Sequence, residues 1–93
     1  MKQDVVRLLR WFVEKRYGCK AIAVDTATVR LKEGNATIWY GVVTIFHLDT
    51  HPAAKKAYGW YYEVEQRFMS ALQAGPIASP EDAVRAEFKL LRN

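Results

Sequence analysis

The chain has 93 residues and a mass of 10.7 kDa, which allows one domain (residues 1–93) and excludes an enzyme whose site lies between two domains. Hydrophobic residues make up 51% and charged residues 26%, a composition that excludes disordered and collagen-like proteins. The formal net charge is +4, and the excess lies within residues 1–20, because residues 21–93 hold eight basic and eight acidic side chains.

Three features of the sequence limit the cellular environment of this protein and the ligands that it can bind. Cys19 is the one cysteine, so no intrachain disulfide is possible, and we expect a cytoplasmic protein. The longest charge-free segment, residues 34–48, is too short and too polar to span a bilayer. The five glycines are isolated and form no phosphate-binding loop. We expect no membrane association and no cofactor.

Residues 3–17 have the spacing of an amphipathic helix. Apolar residues recur three and four positions apart: Val5, Leu8, Leu9, Phe12 and Val13. Gly18 follows where a C-terminal cap belongs. Trp11 lies outside the apolar stripe, four residues from both Arg7 and Lys15, which makes it a candidate contact residue.

Two long strands are predicted next, joined by a turn at residues 32–35. In the first, residues 21–31, the apolar positions change parity near residues 25–27, which predicts a bulge or bend. The second, residues 36–48, is rich in β-branched and aromatic side chains and is apolar on both faces. We expect both faces to be covered at least in part, and an uncovered apolar face would be a dimer or partner surface.

Residues 53–73 fit either one helix or two strands with a turn at residues 65–66. Gly59 within an aromatic run favours the strands. Residues 79–92 predict a helix with Ser79 as the N-cap. Its apolar stripe consists of Val84, Phe88 and Leu91.

The expected fold is therefore α+β, an antiparallel sheet of three or four strands with the N-terminal and C-terminal helices packed on one face. The order of elements is α-β-β-β(-β)-α. Because no convincing catalytic set is present, the leading hypothesis is a non-catalytic interaction module that self-associates, most simply as a homodimer. Aromatic residues carry much of the energy of interfaces, so the interface candidates are Trp11, Trp39 and Trp60.

A second hypothesis is nucleic-acid binding. Basic side chains on the first helix would contact phosphates, and the basic and aromatic segment 55–62 would stack on bases. The candidate residues are Arg7, Arg10, Lys15, Lys55, Lys56 and Tyr58.

A third hypothesis is a small enzyme or metal protein built on His47, Asp49 and His51, which share one side if the strand continues. Residues four apart on a strand are separated by about 13 Å, so these three side chains cannot share one ion without further ligands. The alternative is a strand end followed by a turn.

Two segments, residues 51–58 and 79–86, resemble stretches of short uncharacterised bacterial proteins of this length. The resemblance covers roughly residues 36–90 and implies no activity. The order of helix, strands and helix is similar to that of double-stranded RNA-binding domains. However, the last helix opens with Pro80 and then two acidic residues, Glu81 and Asp82, whose negative charge would repel phosphate.

Overall fold

The computed structural model describes residues 3–91. Its elements are α1 (Gln3–Tyr17), β1 (Lys20–Glu33), β2 (Ala36–Asp49), β3 (Lys56–Tyr62), β4 (Arg67–Leu72) and α2 (Pro80–Leu91). The strands form one antiparallel sheet in the order β1-β2-β3-β4. The α+β class, the antiparallel sheet and the order of the elements are confirmed. Residues 53–73 contain two strands and not a helix.

Strands β1 and β2 form a long hairpin that contains the predicted bulge. The register shifts between Ala23 and Asp25 and leaves Val24 without an opposite residue, slightly before the predicted position. A second shift, between Leu31 and Lys32, lies near the turn. The two halves of the hairpin contact different parts of the molecule: Ala21 and Leu48 belong to the cluster under α1, and Val29 and Leu31 to the cluster under α2.

The two helices lie on opposite faces of the sheet, and the expectation that they share one face is wrong. Ala57 belongs to the apolar cluster that contains Leu9 of α1, whereas the next residue, Tyr58, belongs to the cluster that contains Val84 of α2. Neighbouring residues of a strand point to opposite faces. The physical reason is that the central strands are apolar on both faces, and each face needs its own cover.

The cluster under α1 is tightly packed at Gly59. A Cβ atom at this position would lie 3.1 Å from Cδ1 of Leu9 and 3.3 Å from Cε2 of Phe46. Leu9 and Phe46 are fully buried, so a close approach of helix to strand depends on the missing side chain.

Helix α2 begins as its sequence predicts. Ser79 Oγ accepts a hydrogen bond from the Asp82 N–H at 3.1 Å, and Asp82 Oδ2 accepts one from the Ala78 N–H at 3.1 Å. Val84 and Phe88 are buried against the sheet. The side chain of Leu91, and Arg92, lie outside the part of the chain that the structure describes. Within residues 3–91, neither helix has the length and apolar character needed to cross a membrane.

Candidate interaction surface between helix α1 and strand β1

Strand β1 is an edge strand, and the backbone pattern shows which of its groups face outward. The Leu48 N–H donates to the Lys55 carbonyl at 2.8 Å, so even-numbered residues of β2 bond to β3. The odd-numbered residues of β2 then bond to β1. By the register of the hairpin, Ala21 and Ala23 turn their backbone groups away from β2, towards the open edge.

Two acidic side chains cap N–H groups along this edge. The Ala21 N–H donates to Glu14 Oε2 at 2.9 Å, and the Thr26 N–H donates to Asp25 Oδ1 at 2.8 Å. The hydrogen bond from Ala21 holds the pKa of the Glu14 carboxyl below its ordinary value. Ala23 lies between these capped positions, so the edge is only partly protected from pairing with another strand.

A groove of about 510 Å³ separates α1 from this part of β1. Its lining combines apolar side chains and arginines: Val6, Arg7, Arg10, Ile22 and Ala23. Arg10 Nε lies 3.4 Å from Glu14 Oε2, whereas Arg7 forms no ion pair with another described residue. The groove is therefore both apolar and basic.

Large apolar side chains are exposed on α1 and on β1. Leu8 and Trp11 lie three residues apart on the outer side of α1, and Ile22 and Val24 lie on β1. Each of the four is more than half exposed. Arg7 is four residues from Trp11 and lines the groove together with Ile22, so it joins the two halves. We call this region the α1–β1 surface, and its members are Arg7, Arg10, Trp11, Ile22, Ala23 and Val24.

The other edge of the sheet, at β4, is obstructed. The Gln73 N–H donates to the Lys56 carbonyl at 2.9 Å, and alternation along β4 then turns the backbone of Ser70 outward. Arg16 Nη1 donates to this outward carbonyl at 3.4 Å and lies 3.9 Å from Glu87 Oε1. A side chain of α1 therefore covers the β4 edge, whereas within residues 3–91 no side chain forms a hydrogen bond with the backbone of Ala23.

Of the three interface candidates from the sequence, only Trp11 is available to a partner. Trp39 and Trp60 are buried in the core under α2, with ring centroids 6.4 Å apart. Their assignment to an interface is therefore wrong for the folded chain. Neither indole N–H finds a hydrogen-bond partner within residues 3–91. The thin core of a small domain needs these large rings as filling.

The nucleic-acid candidates fall into separate places. Arg7, Arg10 and Lys15 are exposed on α1, and Lys55 and Lys56 are exposed at the start of β3. Tyr58 is buried under α2, and burial raises the pKa of its hydroxyl. A base cannot stack on this ring, so the role given to Tyr58 is wrong.

The polar segment at the end of β2 is arranged as a strand end and a loop. His47 and Asp49 are exposed on β2, and the chain then turns at Thr50, which has a φ of 67°. His51 Nδ1 accepts hydrogen bonds from the N–H groups of Ala53 and Ala54, each at 3.0 Å. This nitrogen therefore holds the loop. Within residues 3–91, no group of three or more His, Cys, Asp or Glu side chains is placed to hold a metal ion.

The sequence did not identify Ile22, Val24 and Glu14 as residues of this surface. The change of parity in β1 was the sequence signal that could have identified the two β1 residues. A bulge leaves one residue without an opposite partner, and its side chain no longer follows the regular alternation between faces. The role of Glu14 depends on the position of the helix over the edge, which no local pattern contains.

Comparison with known proteins found no matching family model, no significantly similar curated protein and no significantly similar solved structure.

Proposed function

We propose that this chain is a non-catalytic interaction module that self-associates through the α1–β1 surface. The observation that carries the proposal is a partly open strand edge, at Ala23, with exposed apolar side chains on both sides of it. An open edge forms main-chain hydrogen bonds with an added strand, and the neighbouring apolar side chains supply burial.

A second copy of the same chain matches this edge in chemistry. Two β1 strands that pair antiparallel bring the same surface of each copy together and form a closed dimer. If the pair is centred on Ala23 and Val24, Asp25 of one copy lies opposite Ile22 of the other. Ile22 and Val24 are both exposed, so this register brings apolar side chains of the two copies close to one another.

The outward position of Trp11 supports the same proposal. A tryptophan that is 57% exposed on a helix with a well-packed inner side contributes nothing to the core. Buried at an interface, such a ring is among the side chains that contribute most to binding energy.

Sedimentation velocity over roughly 5 to 500 μM protein tests self-association, a range that covers weak and moderate dimers. We expect a monomer–dimer equilibrium in the unmodified chain. Lysine on an edge strand opposes pairing, so Val24→Lys is expected to weaken the dimer at least about tenfold. Trp11→Ser is expected to weaken it as well, through lost apolar contact.

The matched control is Val64→Lys, because Val64 is 79% exposed in the β3–β4 turn, away from the α1–β1 surface. This variant is expected to associate like the unmodified chain. Circular dichroism is measured for each variant as a control for folding. A monomer at every concentration, or equal losses for Val24→Lys and Val64→Lys, would show that the proposal is incorrect.

A second candidate function, single-stranded nucleic-acid binding, is supported by one row of side chains on α1. Arg7, Trp11 and Lys15 are four residues apart in turn and all are exposed, so two cations flank an aromatic ring. Anisotropy of a labelled oligonucleotide at low and near-physiological salt tests this function. Binding that weakens with salt and is lost in Trp11→Ser supports it, and no binding at low salt excludes it.

A further inference from the structure

A cavity of about 330 Å³ lies between the end of the β1–β2 hairpin and helix α2, away from the α1–β1 surface. Its apolar wall is formed by Leu31, Ile38 and Phe88. Leu31 and Phe88 are themselves core residues, so this wall is firmly held. The volume lies near the lower end of the range for small-molecule sites, about 300–1,000 Å³.

The second register shift of the hairpin places Ile38 at this cavity. Leu31 lies opposite Trp39 and Lys32 lies opposite Thr37, so Ile38 has no opposite residue. A bulge of this kind re-aims the side chain that it leaves unpaired. In regular alternation Ile38 and Trp39 would face opposite sides of the strand, and the apolar wall would lack one of its three members.

The cavity is rimmed by more positive than negative charge. Lys32 comes from the hairpin, and Arg85 and Lys89 come from consecutive turns of α2, while Glu33 is the acidic residue of the lining. Arg85 Nη2 donates to Glu81 Oε2 at 3.0 Å. Within residues 3–91, Lys32 and Lys89 take part in no ion pair, so their charges are available to an anion.

From this combination we infer that the cavity binds a small amphipathic anion, a carboxylate that carries a short aliphatic or aromatic group. The apolar group occupies the wall of Leu31, Ile38 and Phe88, and the carboxylate lies between Lys32 and Lys89. A volume of about 330 Å³ matches a small molecule better than a helix or a folded partner. The site does not depend on self-association of the chain.

Titration of the ¹⁵N-labelled chain with hexanoate, followed by amide chemical shifts, tests this site. Saturable shifts are expected around Leu31, Ile38 and Phe88. Hexanol, which has the same chain length without the charge, is expected to bind at least about threefold more weakly, because exposed ionic contacts contribute modestly. Equal binding of hexanoate and hexanol would overturn the role of the cations.

Two double variants distinguish a specific role of the lysines at the cavity rim from a general effect of the chain's net charge on anion binding. Lys32→Gln with Lys89→Gln is expected to weaken hexanoate binding about three- to tenfold. Lys55→Gln with Lys56→Gln removes the same charge at the start of β3 and is expected to leave binding unchanged. A third variant, Ile38→Trp, fills the cavity from a partly exposed position and is expected to abolish the saturable shifts.

Three results would overturn the inference. The first is the absence of saturable shifts up to tens of millimolar hexanoate, a range in which even weak sites saturate. The second is saturable shifts located elsewhere on the chain. The third is equal weakening by the two lysine pairs, which would indicate a general effect of net charge.

Discussion

The Tyr17 hydroxyl and Ser70 Oγ lie 2.9 Å apart, which joins the last turn of α1 to the edge strand β4. Ser70 is fully buried, and Tyr17 is the residue after Arg16, which donates to both the carbonyl and the hydroxyl of Ser70. The pKa of the Tyr17 hydroxyl is raised, mainly by burial. One end of α1 therefore fixes the helix to the sheet and covers the β4 edge at the same time.

The variant Tyr17→Phe is expected to lower the free energy of unfolding by about 1–2 kcal/mol, because it leaves the buried Ser70 hydroxyl with a weaker partner. Chemical denaturation at neutral pH measures this loss. Tyr40→Phe is the control, since Tyr40 is exposed and its ring lies beneath the Arg30 guanidinium at 5.0 Å, a contact that needs no hydroxyl. Equal stability of Tyr17→Phe and the unmodified chain would show that the hydrogen bond contributes nothing.

The Glu14 carboxylate is expected to give stability a defined pH dependence. Its pKa in the folded chain lies below the ordinary value of 4.5, first because the Ala21 N–H donates to it and then because of Arg10, against an opposing effect of burial. A lowered pKa means that the folded state prefers the charged form. The resulting stability is present above about pH 4.5 and is lost as the pH falls through the folded pKa.

The variant Glu14→Gln tests this dependence, because it keeps an acceptor oxygen and removes the charge. At pH 7 it is expected to be less stable by under about 1 kcal/mol, since the side chain is partly exposed. The difference is expected to shrink as the pH falls below about 4.5. Urea denaturation from pH 3 to pH 7 measures it, and a constant or growing difference at low pH would contradict the assigned sign.

The Thr44 hydroxyl is buried and finds no hydrogen-bond partner within residues 3–91. Replacing it with the similarly shaped valine removes a polar group that folding takes out of water. We expect Thr44→Val to leave the free energy of unfolding unchanged or to raise it by up to about 1 kcal/mol. Thr28→Val, at an exposed position of β1, serves as the control. A clear loss of stability in Thr44→Val would mean that the hydroxyl has a partner, such as an ordered water.

The close approach of Leu9 to Gly59 predicts a coupled pair of mutations. A Cβ at residue 59 lies 3.1 Å from Leu9 Cδ1, so Gly59→Ala is expected to destabilise the chain by about 1–3 kcal/mol. Leu9→Val shortens the opposing side chain, and in that background the cost of Gly59→Ala is expected to fall. A double-mutant cycle from thermal unfolding measures the coupling. Equal costs in both backgrounds would show that Leu9 is not the obstacle.

Local patterns were enough to predict most of the elements. The spacing of Leu9 and Val13 predicts α1, and Ser79 followed by Pro80 predicts the start of α2. These signals depend on residues a few positions apart, which is the range over which capping and helix periodicity act. The bulge in β1 was also visible, because a change in side-chain parity is a local property of the strand.

The placement of the helices and the identity of the surface residues were decided by tertiary structure. The position of Trp11 outside the apolar stripe of α1 was enough to separate it from the core. For Trp39 and Trp60, residue type alone did not show that they are buried. A strand that is apolar on both faces shows that both need cover, but it does not show which helix covers which face.

The sequence by itself determined the class, the order of the elements and the bulge, because each follows from contacts between near neighbours in the chain. Tertiary structure alone decided that the helices lie on opposite faces, that Glu14 caps one strand edge and that Arg16 covers the other. The Arg16 contact joins residues 54 positions apart, and the position of a helix over a sheet depends on the packing of both faces together.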